Sequence, residues 1–209
     1  MTTTAPRPTA KQRKIDAKLA AVRAEAAVTA RRQRNRRIAG IVGLLVVVAL
    51  VSYGLLSSRQ QASAEERIAP DFTLPTTEGA SVTLSDLRGG PVVLFFNEGA
   101  GCAACTVQMA EIEKEPGFEE AGITVLPIVM NTAEQILPDM QRYGATTPFL
   151  LDDGTVTDAY GVLGTGMHEG LPGHGFVLVD AEGVQRWQGE YPSMWLEPGK
   201  LLEEVTSRL

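Results

Sequence analysis

The longest uncharged stretch of the chain, residues 38–58, holds the apolar run 38–56, IAGIVGLLVVVALVSYGLL. At a helical rise of 1.5 Å per residue it spans about 28 Å, close to the thickness of a bilayer core. It shows no polar face, so the pattern predicts a membrane-spanning helix rather than a helix on a soluble core. From about residue 66 the pattern changes. Val92–Phe96, Ile123–Met130 and Phe176–Val179 are short apolar runs bounded by turn residues, and each predicts a buried strand. Helices are predicted between and after them. Residues 102–115 carry Val107, Ala110 and Ile112. Residues 132–143 start at a Thr132 cap, with Pro138 expected to kink or split the helix. Residues 198–208 start with Pro198 in the first turn and place Leu201, Leu202 and Val205 on one side. Strands alternating with helices predict an α/β sandwich over residues 66–209, long enough for one sizeable core.

Charge divides the chain at the same place. The formal net charge is −6. Residues 1–37 carry eleven Lys/Arg against Asp16 and Glu25, a local excess of nine positive charges, so the remainder is strongly acidic. An acidic globular part excludes a nucleic-acid-binding domain and directs the basic end toward anionic lipid headgroups. Arg31, Arg32, Arg34, Arg36 and Arg37 crowd one flank of the apolar run, while Arg59 stands nearly alone on the other. The positive-inside rule keeps the N-terminus cytoplasmic and exports residues 57–209. Ala62-Ser63-Ala64 resembles a signal-peptide cleavage site. The apolar run is longer than a signal core and its leader is long, so an uncleaved single-pass cell-membrane anchor is expected. The expected organisation is a basic cytoplasmic segment (1–37, disordered over 1–10 and helical over 11–37), a transmembrane helix (38–56), a linker (57–65) and one exported domain (66–209).

The chemistry centres on the two cysteines, too few for a disulfide scaffold. Gly101-Cys102-Ala103-Ala104-Cys105 follows the strand that ends at Phe96 and opens the next helix. Cys102 then stands at a helix N-terminus, where free N–H groups and the helix dipole lower a thiol pKa. Cys105 lies one turn on. The pair suits thiol–disulfide exchange, with Cys102 attacking and Cys105 resolving, and the competing reading is one inert bridge. Glu98 is a candidate proton acceptor for Cys105, against a plain solvated loop acid. Gln108, Met109, Trp187, Tyr191 and Trp195 are read first as packing residues.

Three groups of segments carry a family resemblance. Ala69-Pro70-Asp71-Phe72-Thr73-Leu74, Val82 to Gly89 and Pro91 to Phe96 form the first. Thr147-Pro148-Phe149-Leu150-Leu151-Asp152 with Ala159-Tyr160-Gly161-Val162 forms the second, and Phe176 to Asp180 with Gly183-Val184 the third. Together they resemble the thioredoxin-like superfamily on its peroxiredoxin side (alkyl hydroperoxide reductase/thiol-specific antioxidant). The resemblance implies a thioredoxin-like fold, with a central mixed sheet flanked by helices, an extra N-terminal hairpin, and a redox-active disulfide with no other cofactor. It implies an oxidoreductase acting on thiols or disulfides, and the expected anchor puts its protein partners outside the cytoplasm.

The chain also departs from that pattern. The peroxiredoxin Thr three residues before the reactive cysteine is Gly99, and the Arg before the late hairpin is replaced by Pro172-Gly173-His174-Gly175. Peroxidase (antioxidant) activity is therefore the alternative function and dithiol exchange the first. Thioredoxins place a cis-proline beside the cysteines, for which Pro172 is the candidate. The fold would bring both histidines, His168 and His174, opposite the pair. They would act as loop-packing residues, as partners that tune a thiolate or carry a proton, or, with Cys102 and Cys105, as a copper or zinc site of a metal chaperone or sensor.

Overall fold

The computed structural model describes residues 40–52, 61–63, 66–164 and 169–209. The helix expected over 11–37, Ala64 of the triplet that resembles a cleavage site, and His168 lie outside the described residues. Residues 1–57 and 58–209 form two units. In the first, residues 40–52 are a helix (α1) whose Leu44, Leu45, Val46, Val47 and Leu50 are exposed. At 1.5 Å per residue α1 covers about 20 Å. Among the described residues, no helix is long and apolar enough to cross a membrane. The rest of the expected 38–56 span lies outside them.

The second unit is built on a mixed sheet of β1 (Gln61–Ser63), β2 (Arg67–Ile68), β5 (Val92–Phe96), β6 (Thr124–Val129), β7 (Leu150–Leu151), β8 (Gly175–Val179) and β9 (Val184–Glu190). The strand order is β1-β9-β8-β5-β6-β7, with β2 also paired to β9. The links β5–β6 and β6–β7 are parallel, and the others are antiparallel. A separate hairpin, β3 (Thr73–Pro75) with β4 (Ser81–Thr83), precedes β5.

Central β5 is buried at every residue, which is why it reads as a continuous apolar run. Its side chains alternate between two cores. Val93 and Phe95 join one with α2 (Ala103–Ile112), α3 (Gly117–Glu120), α4 (Ala133–Tyr143) and α6 (Pro198–Thr206). Leu94 and Phe96 join the other with Phe72, Leu74 and α5 (Thr155–Ala159). This is the α/β thioredoxin-like architecture, a mixed sheet covered by helices.

Two helices differ from expectation. The first ends at Ile112 rather than 115, because Pro116 disfavours helical backbone before it. The chain tightens there into turns, Lys114 N–H bonding Glu111 O and Glu115 N–H bonding Ile112 O. Pro138 does not split α4, which runs continuously from a capping box of Thr132 and Gln135 to Gly144. The carbonyl that loses its partner to Pro138 belongs to Glu134, an exposed residue, so water can take the vacant bond.

Candidate active site: the Cys102–Cys105 disulfide

The loop from β5 to α2 is fastened by side chains. Asn97 at the end of β5 accepts from Gly99 N–H at 3.1 Å and donates to Phe95 O at 3.2 Å. Asn131 Oδ1 accepts from Ala100 N–H at 2.9 Å, and Asp139 of α4 accepts from Gly101 N–H at 2.8 Å. Gly99 has φ +71°, and a Cβ there would lie 1.9 Å from Asn131 Oδ1 and 2.9 Å from Val129 Cγ1. The position therefore admits neither threonine nor any other side chain without moving Asn131. The side-chain carbonyl of Asn131 stands where the threonine expected from the family resemblance would begin. Asn97, Asn131 and Asp139 escaped the sequence reading. Their one signal was a polar residue directly following an apolar strand, at Asn97 and near Asn131.

Cys102 is the N-cap of α2, and its sulfur accepts from Cys105 N–H at 3.3 Å. It is disulfide-bonded to Cys105 with a Cα–Cα separation of 5.4 Å. A thiolate left at Cys102 thus meets a backbone donor and the positive end of a ten-residue helix, and both favour the charged form. The two sulfurs differ in access. Cys102 is half-buried between exposed Gly101 and Ala103, whereas Cys105 is 0% exposed. An incoming group therefore meets Cys102 first.

Below Cys105 lies His174, the residue before β8. Its Nδ1 is 3.7 Å from the Cys105 sulfur, and the ring is 3% exposed. The ring stands edge-on to Phe95 (centroids 4.9 Å apart) and to Phe176 (5.7 Å), which stack on each other at 4.6 Å. Burial among these rings lowers the His174 pKa to about 4. Tyr191 packs against the far side of Phe176, and burial raises its pKa to about 12. The Tyr191 N–H holds His174 O at 2.8 Å.

The remaining candidates fall at varied distances from this chemistry. Glu98 is half-buried within the loop. The Leu171–Pro172 peptide is trans, contrary to the expected cis-proline, since there is no cis peptide bond among the described residues. Pro172 pairs with Leu163, and the bonds Gly173 N–H to Val162 O and Gly164 N–H to Leu171 O hold residues 171–173 extended. An extended ladder needs no cis bond. Gln108 packs inside and accepts from Leu196 N–H at 2.8 Å. Met109 and Trp187 are core residues, and Trp195 is 39% exposed. Among the described residues no three His, Cys, Asp or Glu side chains form a group that could hold a metal ion.

A mixed sheet with a disulfide at the N-terminus of the helix after its central strand defines a thioredoxin-like redox domain. Within that class the chain belongs to the AhpC/TSA family, whose model matches residues 66–188. It is a redox enzyme of the kind that includes peroxiredoxins and thiol–disulfide oxidoreductases. A Mycobacterium tuberculosis protein carrying a provisional peroxiredoxin name is 33% identical over 121 residues, 55% of this chain and 77% of that protein. Thiol–disulfide oxidoreductase ResA of Geobacillus thermodenitrificans is 29% identical over 137 residues, 63% of this chain and 78% of that one. The crystal structure of peroxidoxin BcpB from M. tuberculosis superposes with a TM-score of 0.58 at 23% identity, covering 68% of this chain and 95% of that one.

Proposed function

We propose that the protein is a membrane-tethered thiol–disulfide oxidoreductase whose Cys102–Cys105 pair exchanges with thiols or disulfides of protein partners outside the cytoplasm. The observation that carries this reading is the unequal access of the two sulfurs. Cys102, at the helix end, takes the partner's attack, and Cys105, sealed beneath it, resolves the mixed disulfide. The likeness to ResA supports the same chemistry. The uncharged run 38–56 and its arginine flank support the anchor and its orientation. Cleavage after Ala64 would sever β1 from β9, which favours an uncleaved anchor.

A second reading is peroxide reduction, which the names of the peroxiredoxin relatives favour. The loop geometry weighs against it, since Asn131 fills the place of the threonine that would face a peroxide.

The test is exchange with a disulfide-bonded peptide by the full-length chain. Cys102→Ser is expected to fall to the uncatalysed rate, and Cys105→Ser to accumulate a mixed disulfide through Cys102. Full exchange by Cys102→Ser overturns the assignment. Oxidation of the reduced folded chain by hydrogen peroxide much faster than of the unfolded chain would transfer the conclusion to the second reading.

A further inference from the structure

Opening the disulfide places a negative charge where the fold is least able to solvate it. A partner thiolate attacks the Cys102 sulfur and forms the partner–Cys102 bond. The Cys102–Cys105 bond breaks, and its electron pair leaves on Cys105. A second thiol of the partner then displaces Cys102. The partner dithiol is thereby oxidised to a disulfide, and the pair is reduced, Cys105 taking the proton released by that second thiol. The oxidising direction runs the same steps in reverse, with Cys105 as the attacking thiolate. In both directions the transition state carries charge on a sulfur with no exposed surface. A thiolate buried in apolar surroundings is disfavoured unless a donor faces it.

A donor stands there. His174 Nδ1 is 3.7 Å from the Cys105 sulfur, while its Nε2 is buried with no hydrogen-bond partner among the described residues. The two neutral tautomers are therefore unequal. A hydrogen on Nε2 would be a buried donor without a recipient, whereas a hydrogen on Nδ1 points at sulfur and leaves an acceptor lone pair idle. The hydrogen belongs on the nitrogen that has a recipient. Phe95 and Phe176 hold the ring edge-on, so it cannot swing away.

We propose that His174, as the neutral Nδ1–H tautomer, is a catalytic residue that donates a hydrogen bond to Cys105 and stabilises it as a thiolate when the disulfide opens and when it re-forms. This rests on the redox reading of the pair and adds the residue that makes the hidden cysteine competent. Disulfide sulfur is a weak acceptor and thiolate a strong one. The bond therefore strengthens as charge develops, and such a bond lowers a barrier rather than merely tightening the ground state. With the disulfide closed the ring is uncharged in the working range, because burial lowers its pKa to about 4. It enters the step as a neutral hydrogen-bond donor. Among the described residues, the other ionisable side chains on the elements packed here are Cys102 at the start of the Cys105 helix, Glu98 on the loop before it, Tyr191 against Phe176 and Glu190 paired with Gly175.

The experiment is a thiolate titration by ultraviolet absorbance on the full-length chain carrying Cys102→Ser, in which Cys105 is the one remaining thiol. Glu98, Glu190 and Tyr191 are left intact. Adding His174→Phe, which keeps an aromatic ring between Phe95 and Phe176, is expected to raise the Cys105 pKa by about one to two units. His174→Asn, whose amide nitrogen reaches the Nδ1 position, is expected to keep most of the original value. His174→Gln reaches the Nε2 position instead and is expected to shift with phenylalanine. The asparagine–glutamine contrast stands even if the phenylalanine variant does not fold. With Cys102 restored, resolution of its mixed disulfide with glutathione is expected to slow about 10- to 100-fold in His174→Phe and much less in His174→Asn. An unchanged Cys105 titration in both the phenylalanine and glutamine variants overturns the proposal, as does asparagine shifting it as far as they do. The titration needs no partner. A shift without any exchange activity would refute the proposed function and with it the catalytic role, leaving only the hydrogen bond from His174 to Cys105.

Discussion

The two cysteines are three residues apart, yet one belongs to a polar loop and the other to an aromatic floor. Around Cys102 the backbone is fastened by Asn97, Asn131 and Asp139, each accepting a single N–H, and the neighbouring Ala103 and Ala104 are exposed. Against Cys105 lies His174, which packs in turn on Phe95 and Phe176, and all four residues are buried. The loop sets where the reactive sulfur stands and leaves it open to a partner. The floor supplies packing energy and hides the second sulfur from water. A single disulfide thus has one end suited to attack and one end suited to leaving, and the asymmetry comes from surroundings, since the two side chains are identical.

If the floor is a packing element, removing its central ring must damage stability far more than a change at the rim. Phe95→Ala is expected to cost about 3–5 kcal/mol, because the ring is fully buried and stacked at 4.6 Å on Phe176. Ala104→Ser, on the exposed side of the same site, is expected to stay within about 0.5 kcal/mol. Chemical denaturation of the oxidised chain checks both. Equal losses would mean that floor and rim are one continuous structure.

The dryness of the floor has a pH signature of somewhat smaller size. Burial lowers His174 from 6.5 to about 4. Above pH 6.5 the ring is neutral in the folded and unfolded chains, and stability does not depend on it. As pH falls from 6.5 toward 4, the unfolded chain takes up a proton that the folded chain refuses, so stability falls, by about 3 kcal/mol across the window. Below pH 4 this contribution levels off. The difference in unfolding free energy between the parent and His174→Phe, measured across the window, isolates the histidine from the carboxylates. A difference that does not change with pH would show that water reaches the ring and that the floor is not dry.

How much of this contrast was legible in sequence follows from the range of the interactions. Val92–Phe96 and Phe176–Val179 announced themselves because strands buried on both faces must be apolar throughout. The Cys102 helix end was legible because a strand, a turn and a helix follow one another locally. The floor was less so. His174 reaches Cys105 across 69 residues of chain, and only the family resemblance brought that loop to the pair. The loop fastenings were invisible for the same reason, Asn131 lying 31 and Asp139 38 residues from the amides they hold. Pro138 misled in the opposite way where it suggested a split helix. Its local rule was sound, but Glu134, whose carbonyl loses the bond, is exposed, and α4 stays continuous. Pro172 misled because the expectation came from the family pattern, whereas this chain holds the segment in a ladder with Val162 and Leu163.

The smallest effect tests the loop itself. Gly99→Ala places a methyl group 1.9 Å from Asn131 Oδ1 on a backbone at φ +71°, and it is expected to cost about 1–3 kcal/mol. Part of that cost is the αL backbone, which nothing else can relieve. The rest is the collision, which Asn131 escapes only by giving up its bond to Ala100 N–H. Asn131→Ala alone loses that same bond and removes the nearer of the two contacts, leaving Val129 Cγ1 at 2.9 Å. The two changes therefore share one loss, and the double variant is expected to be more stable than the sum of the single effects by about 1 kcal/mol. If the costs add, Asn131 and Gly99 do not share the space. The absence of a threonine at position 99 would then need a cause other than the carbonyl that occupies its place.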